Sequence, residues 1–258
     1  MFKFFKKKFI KYAMHGKNNR IFVIEKDNIY KLRRSIKGLN ISVVGNNNRI
    51  IFDNYDKLCV LRRQLRGLVI CIEGDSNMVR IKLPNKFNGT MINLKGEGNY
   101  FELNDSIYPL RYNCRFFAYD GGQIMIGRNC QLNDNLYIKI EDDYKTKHKI
   151  VIKDNVFIAM DVIIRASDGH SFLDKNTGYP LNEPQDIIID EHCWIMARSI
   201  ILKGTHLCHD TAVGAQSLVN KKFEQPYLLL AGTPAKIIRK DIRWVKQGYG
   251  TVMKMNGL

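Results

Sequence analysis

The stretch Ser167-Asp168-Gly169-His170-Ser171-Phe172 puts an imidazole in a polar, glycine-containing segment of the kind that leaves a regular element as a loop. Imidazole, as a side-chain type, titrates near neutrality and can take a proton from a hydroxyl. An alcohol is too weakly acidic to attack an activated carbonyl unaided, and a positioned base is worth roughly 10²–10⁴ in rate. A histidine on a loop leaving a rigid scaffold can reach a cleft, so His170 is the candidate base. Its context decides, because a surface histidine standing alone seldom has a role.

A second candidate is electrostatic. Leu32-Arg33-Arg34-Ser35-Ile36-Lys37-Gly38-Leu39 returns 29 residues later as Leu61-Arg62-Arg63-Gln64-Leu65-Arg66-Gly67-Leu68. If equivalent residues stack on successive turns of a solenoid, about 4.8 Å apart, Arg33 lies beside Arg62 and Arg34 beside Arg63. Like charges so close do not stabilise a fold. They suit either a loop splayed into water or a ladder that binds an anionic polymer. The net charge of +16 favours a polyanionic partner: nucleic acid, an acidic polysaccharide or an anionic membrane surface.

The elements that carry these residues follow from a strict spacing. Ile189, Ile195, Ile201, Leu207, Val213 and Val219 fall six apart, and Cys193, Ser199, Thr205, Thr211 and Ser217 put a small residue four positions after each of the first five. Helices repeat at three and four, half-buried strands at two. A period of six fits a triangular coil of parallel strands, with the aliphatic residue filling the interior on each side and the small residue near each corner. Ile126, Leu132 and Ile138 make one such coil, and Ile152, Ile158 and Ile164 the next. The charged stretch Glu141 to His148 and the longer one from Ala166 to Asp186 interrupt the count as excursions.

Towards the N-terminus a longer repeat takes over. Ile41, Val43, Gly45, Asn48 and Ile50 return at Ile70, Ile72, Gly74, Asn77 and Val79. They return again, 22 residues on, at Ile92, Leu94, Gly96, Asn99 and Phe101. Gly and Asn suit tight corners with positive φ. The sequence therefore predicts an all-β chain: a β-solenoid extension over 1–115, a hexapeptide-repeat parallel β-helix over 116–222, and a strand, turn and short helix over 223–258. The helix is expected from Ala235 to Val245.

His170 in its loop, Trp194 within Cys193-Trp194-Ile195-Met196-Ala197, the run Val213-Gly214-Ala215-Gln216-Ser217-Leu218-Val219 and the turn Ala231-Gly232-Thr233-Pro234-Ala235-Lys236-Ile237-Ile238-Arg239 occur in that order. Together they resemble the hexapeptide-repeat acyltransferases, and among them the bacterial capsule sugar O-acetyltransferases that act on polysialic acid. The resemblance covers roughly residues 122 to 244. It implies a left-handed β-helix, a homotrimer with sites between neighbouring subunits, and acetyl-CoA as donor. In its terms His170 is the base and Trp194 shapes the acceptor pocket, where it can stack on a sugar face. The backbone N–H of Ala197 faces the developing oxyanion. Ala215, Asn220 and Lys221 line the pantetheine arm, and Lys236 and Arg239 lie near the phosphoadenosine end. Asn133 and Asp134 fall on the acceptor side. Asp168, Glu183 and Asp186 are alternative carboxylates for orienting His170. Met196 stands where the family often has Gly.

Other classes are disfavoured. There is no P-loop, dinucleotide fingerprint or nucleic-acid-binding motif. A zinc site is considered because His170 and His206 lie two repeat turns apart, with His209 following. It is set aside because His206 precedes an inward Leu207 and should face outward, so no metal is expected. The remaining rival is a non-catalytic solenoid that binds an anionic polysaccharide. The six cysteines read as reduced packing residues, which suits a cytoplasmic protein. Met1 to Tyr12, with five lysines among aromatics and no acid, reads as a basic tail or cap; peripheral contact with the inner membrane surface is the alternative.

Overall fold

The computed structural model describes residues 12–25, 28–32, 36, 38–53, 64–141 and 147–255. Arg33, Arg34, Arg62, Arg63 and the lysine-rich start, Met1 to Lys11, lie outside them.

Among the described residues three sheets of nine, ten and six strands form the sides of a prism. Side one runs from the strand Tyr12–His15 to Leu218–Val219, side two from Arg20–Glu25 to Lys222–Phe223, and side three from Gln131–Leu132 to Leu229–Gly232. Pairing is parallel throughout except at two edges. Asn28–Lys31 runs antiparallel to the first strand of side two, and Ala235–Arg239 antiparallel to the last of side three. This is the parallel β-helix that the six-residue spacing predicts, with the left hand that the family resemblance implies.

The six-residue spacing places its residues as expected. Ile126, Leu132, Ile138, Ile152, Ile158, Ile164, Ile189, Ile195, Ile201, Leu207, Val213 and Val219 are all buried in one continuous core. Each such side chain contributes about 1.5–3 kcal/mol. The small residues sit buried beside the corners because only a short side chain fits there. Their hydroxyls also stitch coils together: Ser199 Oγ donates to the Gly214 carbonyl at 3.0 Å, and Thr205 Oγ1 to the Val219 carbonyl at 3.2 Å.

The two longer offsets are registers of the same solenoid. Leu39 pairs with Leu68 and Leu68 with Thr90 on side one, while Arg49 pairs with Met78 and Met78 with Tyr100 on side two. The corner between these sides explains its glycines and asparagines. A Cβ on Gly45 would lie 2.0 Å from the Gly74 carbonyl oxygen, and Gly45 has φ +126. Beside the glycines Asn19, Asn48, Asn77 and Asn99 form a ladder. Each Oδ1 from Asn19 to Asn77 accepts both the backbone N–H and the Nδ2 of the next asparagine at 2.8–3.1 Å. Asn99 Oδ1 ends the ladder on the Gly121 N–H at 3.1 Å.

The C-terminal expectation needs correction. Ala235–Arg239 is a strand, not a helix; a hairpin at Gly232, with φ +107, folds it back on Leu229–Gly232. Its backbone pairs with the last strand of side three, which a helix there would leave without a partner on that edge. The short helix is Tyr249–Met255.

Candidate functional site

The excursion 166–186 leaves the coil between Ile163–Arg165 on side one and Ile187–Ile189 on side two. It forms an arm closed by a bridge between Leu173 and Pro180, with Asp174 capping the tip through bonds from the Asn176 and Thr177 amides. His170 is exposed on this arm. It lines a cavity of about 640 Å³ together with Asp120, Glu141, Asp168, Tyr179 and Glu183. Ser167 Oγ accepts the Glu141 N–H at 3.0 Å and ties the arm to the coil beneath it.

Of the three carboxylates considered for orienting His170, Asp168 and Asp186 have other partners, and Glu183 lines the same cavity. Asp168 Oδ2 accepts Lys203 Nζ at 2.6 Å and Asn182 Nδ2 at 2.8 Å. Burial pushes the Asp168 carboxyl up, but these two bonds outweigh it and hold the group below the usual carboxylate range. Asp186 Oδ1 accepts the Lys149 N–H at 2.9 Å, and Glu183 is exposed. The carboxylate nearest the turn from below is Glu141, whose Oε2 would lie 3.1 Å from a Cβ at Gly169.

Trp194 is elsewhere. It stands on side three, the side opposite the corner that carries the arm, in register with Phe157 on one neighbour and Ala212 on the other. Trp244 packs over both aromatics, with ring centroids 5.6 Å from Trp194 and 6.3 Å from Phe157. It also stacks on His192 at 4.4 Å and donates its indole N–H to the His192 carbonyl at 2.6 Å. Trp244 is a residue the sequence reading missed. The signal was an indole in a basic tail, with no periodicity to say what it covers.

Ala197 and Ala215 occupy equivalent places on the corner between sides three and one, in line with Asp134 and Met160. In each coil the following residue has positive φ and donates to the coil before: Asn135 to Tyr112, Asp161 to Asp134, Arg198 to Met160, Gln216 to Ala197. The amides of Asp134, Met160, Ala197 and Ala215 themselves have no acceptor among the described residues. The result is a row of open N–H donors spaced by about 4.8 Å. Asn133 lies at the same corner, its Nδ2 bonded to the Ile158 carbonyl at 3.0 Å. Lys236 and Arg239 are exposed on the added edge strand, paired with Ala231 and Leu229. Asn220 and Lys221 are exposed at the other corner, between sides one and two, two coils beyond the arm.

The candidate residues thus fall on two edges of the prism. His170, Asn220 and Lys221 share one; Ala197, Ala215 and Lys236 gather at the other, with Trp194 and Arg239 on the side that leads into it. Side one separates the two sets. His206 faces outward and bonds Asp190 at 2.9 Å.

No family model matches the chain. It is 30% identical over 129 residues to a polysialic acid O-acetyltransferase of Escherichia coli O1:K1 / APEC, covering 50% of this chain and 40% of that protein. It is 35% identical over 127 residues to the galactoside O-acetyltransferase of Escherichia coli (strain K12), covering 48% and 57%. Both of these relatives are named O-acetyltransferases. The matches span about half the length of these relatives. Among solved structures, the polysialic acid O-acetyltransferase OatWY superimposes with a TM-score of 0.64 at 22% identity, covering 95% of this chain and 96% of that one. The polySia specific acetyltransferase NeuO gives 0.58 at 21%, covering 93% and 90%. These superpositions establish a shared fold along nearly the whole chain, including the extension that the motifs do not reach. No described helix is long and apolar enough to cross a membrane.

Proposed function

We propose that the chain is an O-acetyltransferase that moves an acetyl group from acetyl-CoA to a hydroxyl of an acidic bacterial surface polysaccharide, polysialic acid being the leading acceptor. The observation that carries this reading is His170 exposed on an anchored arm at the lip of a 640 Å³ cavity. The relatives' activities support it.

In this mechanism a ring nitrogen of His170 takes the proton of the acceptor hydroxyl as its oxygen attacks the thioester carbonyl. The N–H of Ala197, bonded to nothing else described, meets the negative charge that develops. The carbon–sulfur bond then breaks and His170 returns the proton to the departing sulfur. No covalent acyl-enzyme is required. The donor supplies an activated acetyl group, and the residues present fit it: the open amide at Ala215 matches a carbonyl acceptor of a pantetheine arm, and exposed Lys236 and Arg239 suit its phosphates.

The separation of the two edges supports a site completed by a neighbouring copy, one chain giving His170 and the next the open-amide corner and Trp194. A homotrimer is the assembly that closes such contacts. The division at 115/116 and 222/223, a cytoplasmic location, contact with the inner membrane surface, and polymer binding by Arg33, Arg34, Arg62 and Arg63 belong to the same proposal. Reversal of these four arginines to Glu weakens polymer binding and flattens its salt dependence. An assay of acetyl-CoA consumption against acidic and neutral glycans tests the whole. Consumption with acidic glycans is expected; none with any glycan, alongside tight polymer binding, would favour the non-catalytic binder.

A further inference from the structure

The turn that carries His170 is gripped by two side chains that the repeat does not require. Asn182, on the returning limb of the arm, donates from Nδ2 to Asp168 Oδ2 at 2.8 Å and to the His170 carbonyl at 2.7 Å. Its Oδ1 accepts the Phe172 N–H at 2.8 Å. Lys203, one coil further along, donates from Nζ to Asp168 Oδ2 at 2.6 Å and to the Asn182 carbonyl at 2.9 Å. These five bonds fix the chain immediately before, at and after His170, and Lys203 ties that grip to the rigid stack. The Lys203 side chain is 20% exposed and that of Asp168 37%, so the bond to the Asn182 carbonyl is partly sheltered while the ion pair faces water.

We propose that Asn182 and Lys203 are positioning residues for His170, setting the direction in which the arm presents its imidazole. The inference rests on the reading of His170 as the base. Without the grip, a long exposed arm samples many conformations, and a misplacement of about 1 Å at a reacting group costs on the order of 10²-fold in rate.

The full chain carrying Lys203→Met, Lys203→Arg or Asn182→Ala tests this through two readouts. The first is hydrogen exchange over residues 167–173; the second is kcat and KM for each substrate. Lys203→Met leaves the Phe172 N–H acceptor in place, so faster exchange there reports a loosened turn rather than a deleted bond. The expected result is exchange faster by about tenfold or more in Lys203→Met and Asn182→Ala. With it goes a fall in kcat of roughly 10–100-fold at an acetyl-CoA KM within about twofold of wild type. Lys203→Arg, which keeps a donor for Asp168, recovers most of both. Exchange no faster than wild type overturns the inference, as does loosened exchange with kcat unchanged. If the wild type consumes no acetyl-CoA with any glycan, the base assignment falls, and the exchange data alone decide whether the grip exists.

Discussion

Replacing Asn77 with Ala tests the asparagine ladder where its consequences are largest. Asn77 is 1% exposed, and besides its bond to Asn48 its side chain makes three bonds to two neighbours. Its Oδ1 accepts the Asn99 N–H at 2.9 Å and Asn99 Nδ2 at 2.8 Å, while its Nδ2 donates to the Gly96 carbonyl at 3.0 Å. Alanine strips all three at a corner where Asn77 and Asn99 are each 1% exposed. At about 1–2 kcal/mol per stranded group the loss is about 3–6 kcal/mol. At about 2 °C per kcal/mol for a chain of this size, that lowers the melting temperature by about 6–12 °C. Asn18→Gly is the control: it loses a single 3.2 Å bond to Asn47 on the surface, suits the left-handed φ of +59 at that position, and should stay within about 0.5 kcal/mol of wild type. Thermal unfolding followed by far-UV circular dichroism, at equal protein concentrations, reads both. A melting point for Asn77→Ala within about 2 °C of wild type would refute the claim that the ladder clamps the coils.

Two further outcomes follow from packing. Trp244→Ala uncovers Trp194 and leaves it as the sole indole of the two in the chain, so its emission should shift to the red and iodide should quench it more strongly. Unchanged quenching would show that Trp244 does not cover it. Burial pushes the Cys114 and Cys130 thiols up to about 12, and Cys193 higher still. These thiols should resist iodoacetamide at pH 8 until the chain unfolds. Because their folded values are raised, the stability they contribute is full below the ordinary thiol range near pH 8.5 and is lost as pH climbs towards about 12. Rapid native labelling would contradict this.

The sequence made the coil legible because burial in a triangular prism demands one aliphatic residue per side. The run from Ile189 to Val219 states that demand without interruption. The glycine and asparagine offsets were legible for a related reason: at the corner of Gly45 and Gly74 no Cβ fits, so chemistry is dictated by backbone contact. The tail was not legible. Ile238, Ile242 and Val245 have helical spacing, yet the open edge of Leu229–Gly232 claims Ala235–Arg239 as a strand, a demand made by tertiary structure. Motif order likewise drew Ala215 and Asn220 into one site, although the strand Leu218–Val219 carries the chain across a full side between them. The grip of Asn182 and Lys203 on the His170 turn joins residues of a non-repeating arm to a coil, and no spacing announces it.

The most direct test is the rate of acetyl transfer by His170→Ala, measured with an acidic glycan that the wild type accepts and with circular dichroism and melting temperature recorded alongside. The account predicts a fold that is unchanged and turnover lowered by about 10²–10⁴-fold. Wild-type rates in an intact His170→Ala protein would contradict it.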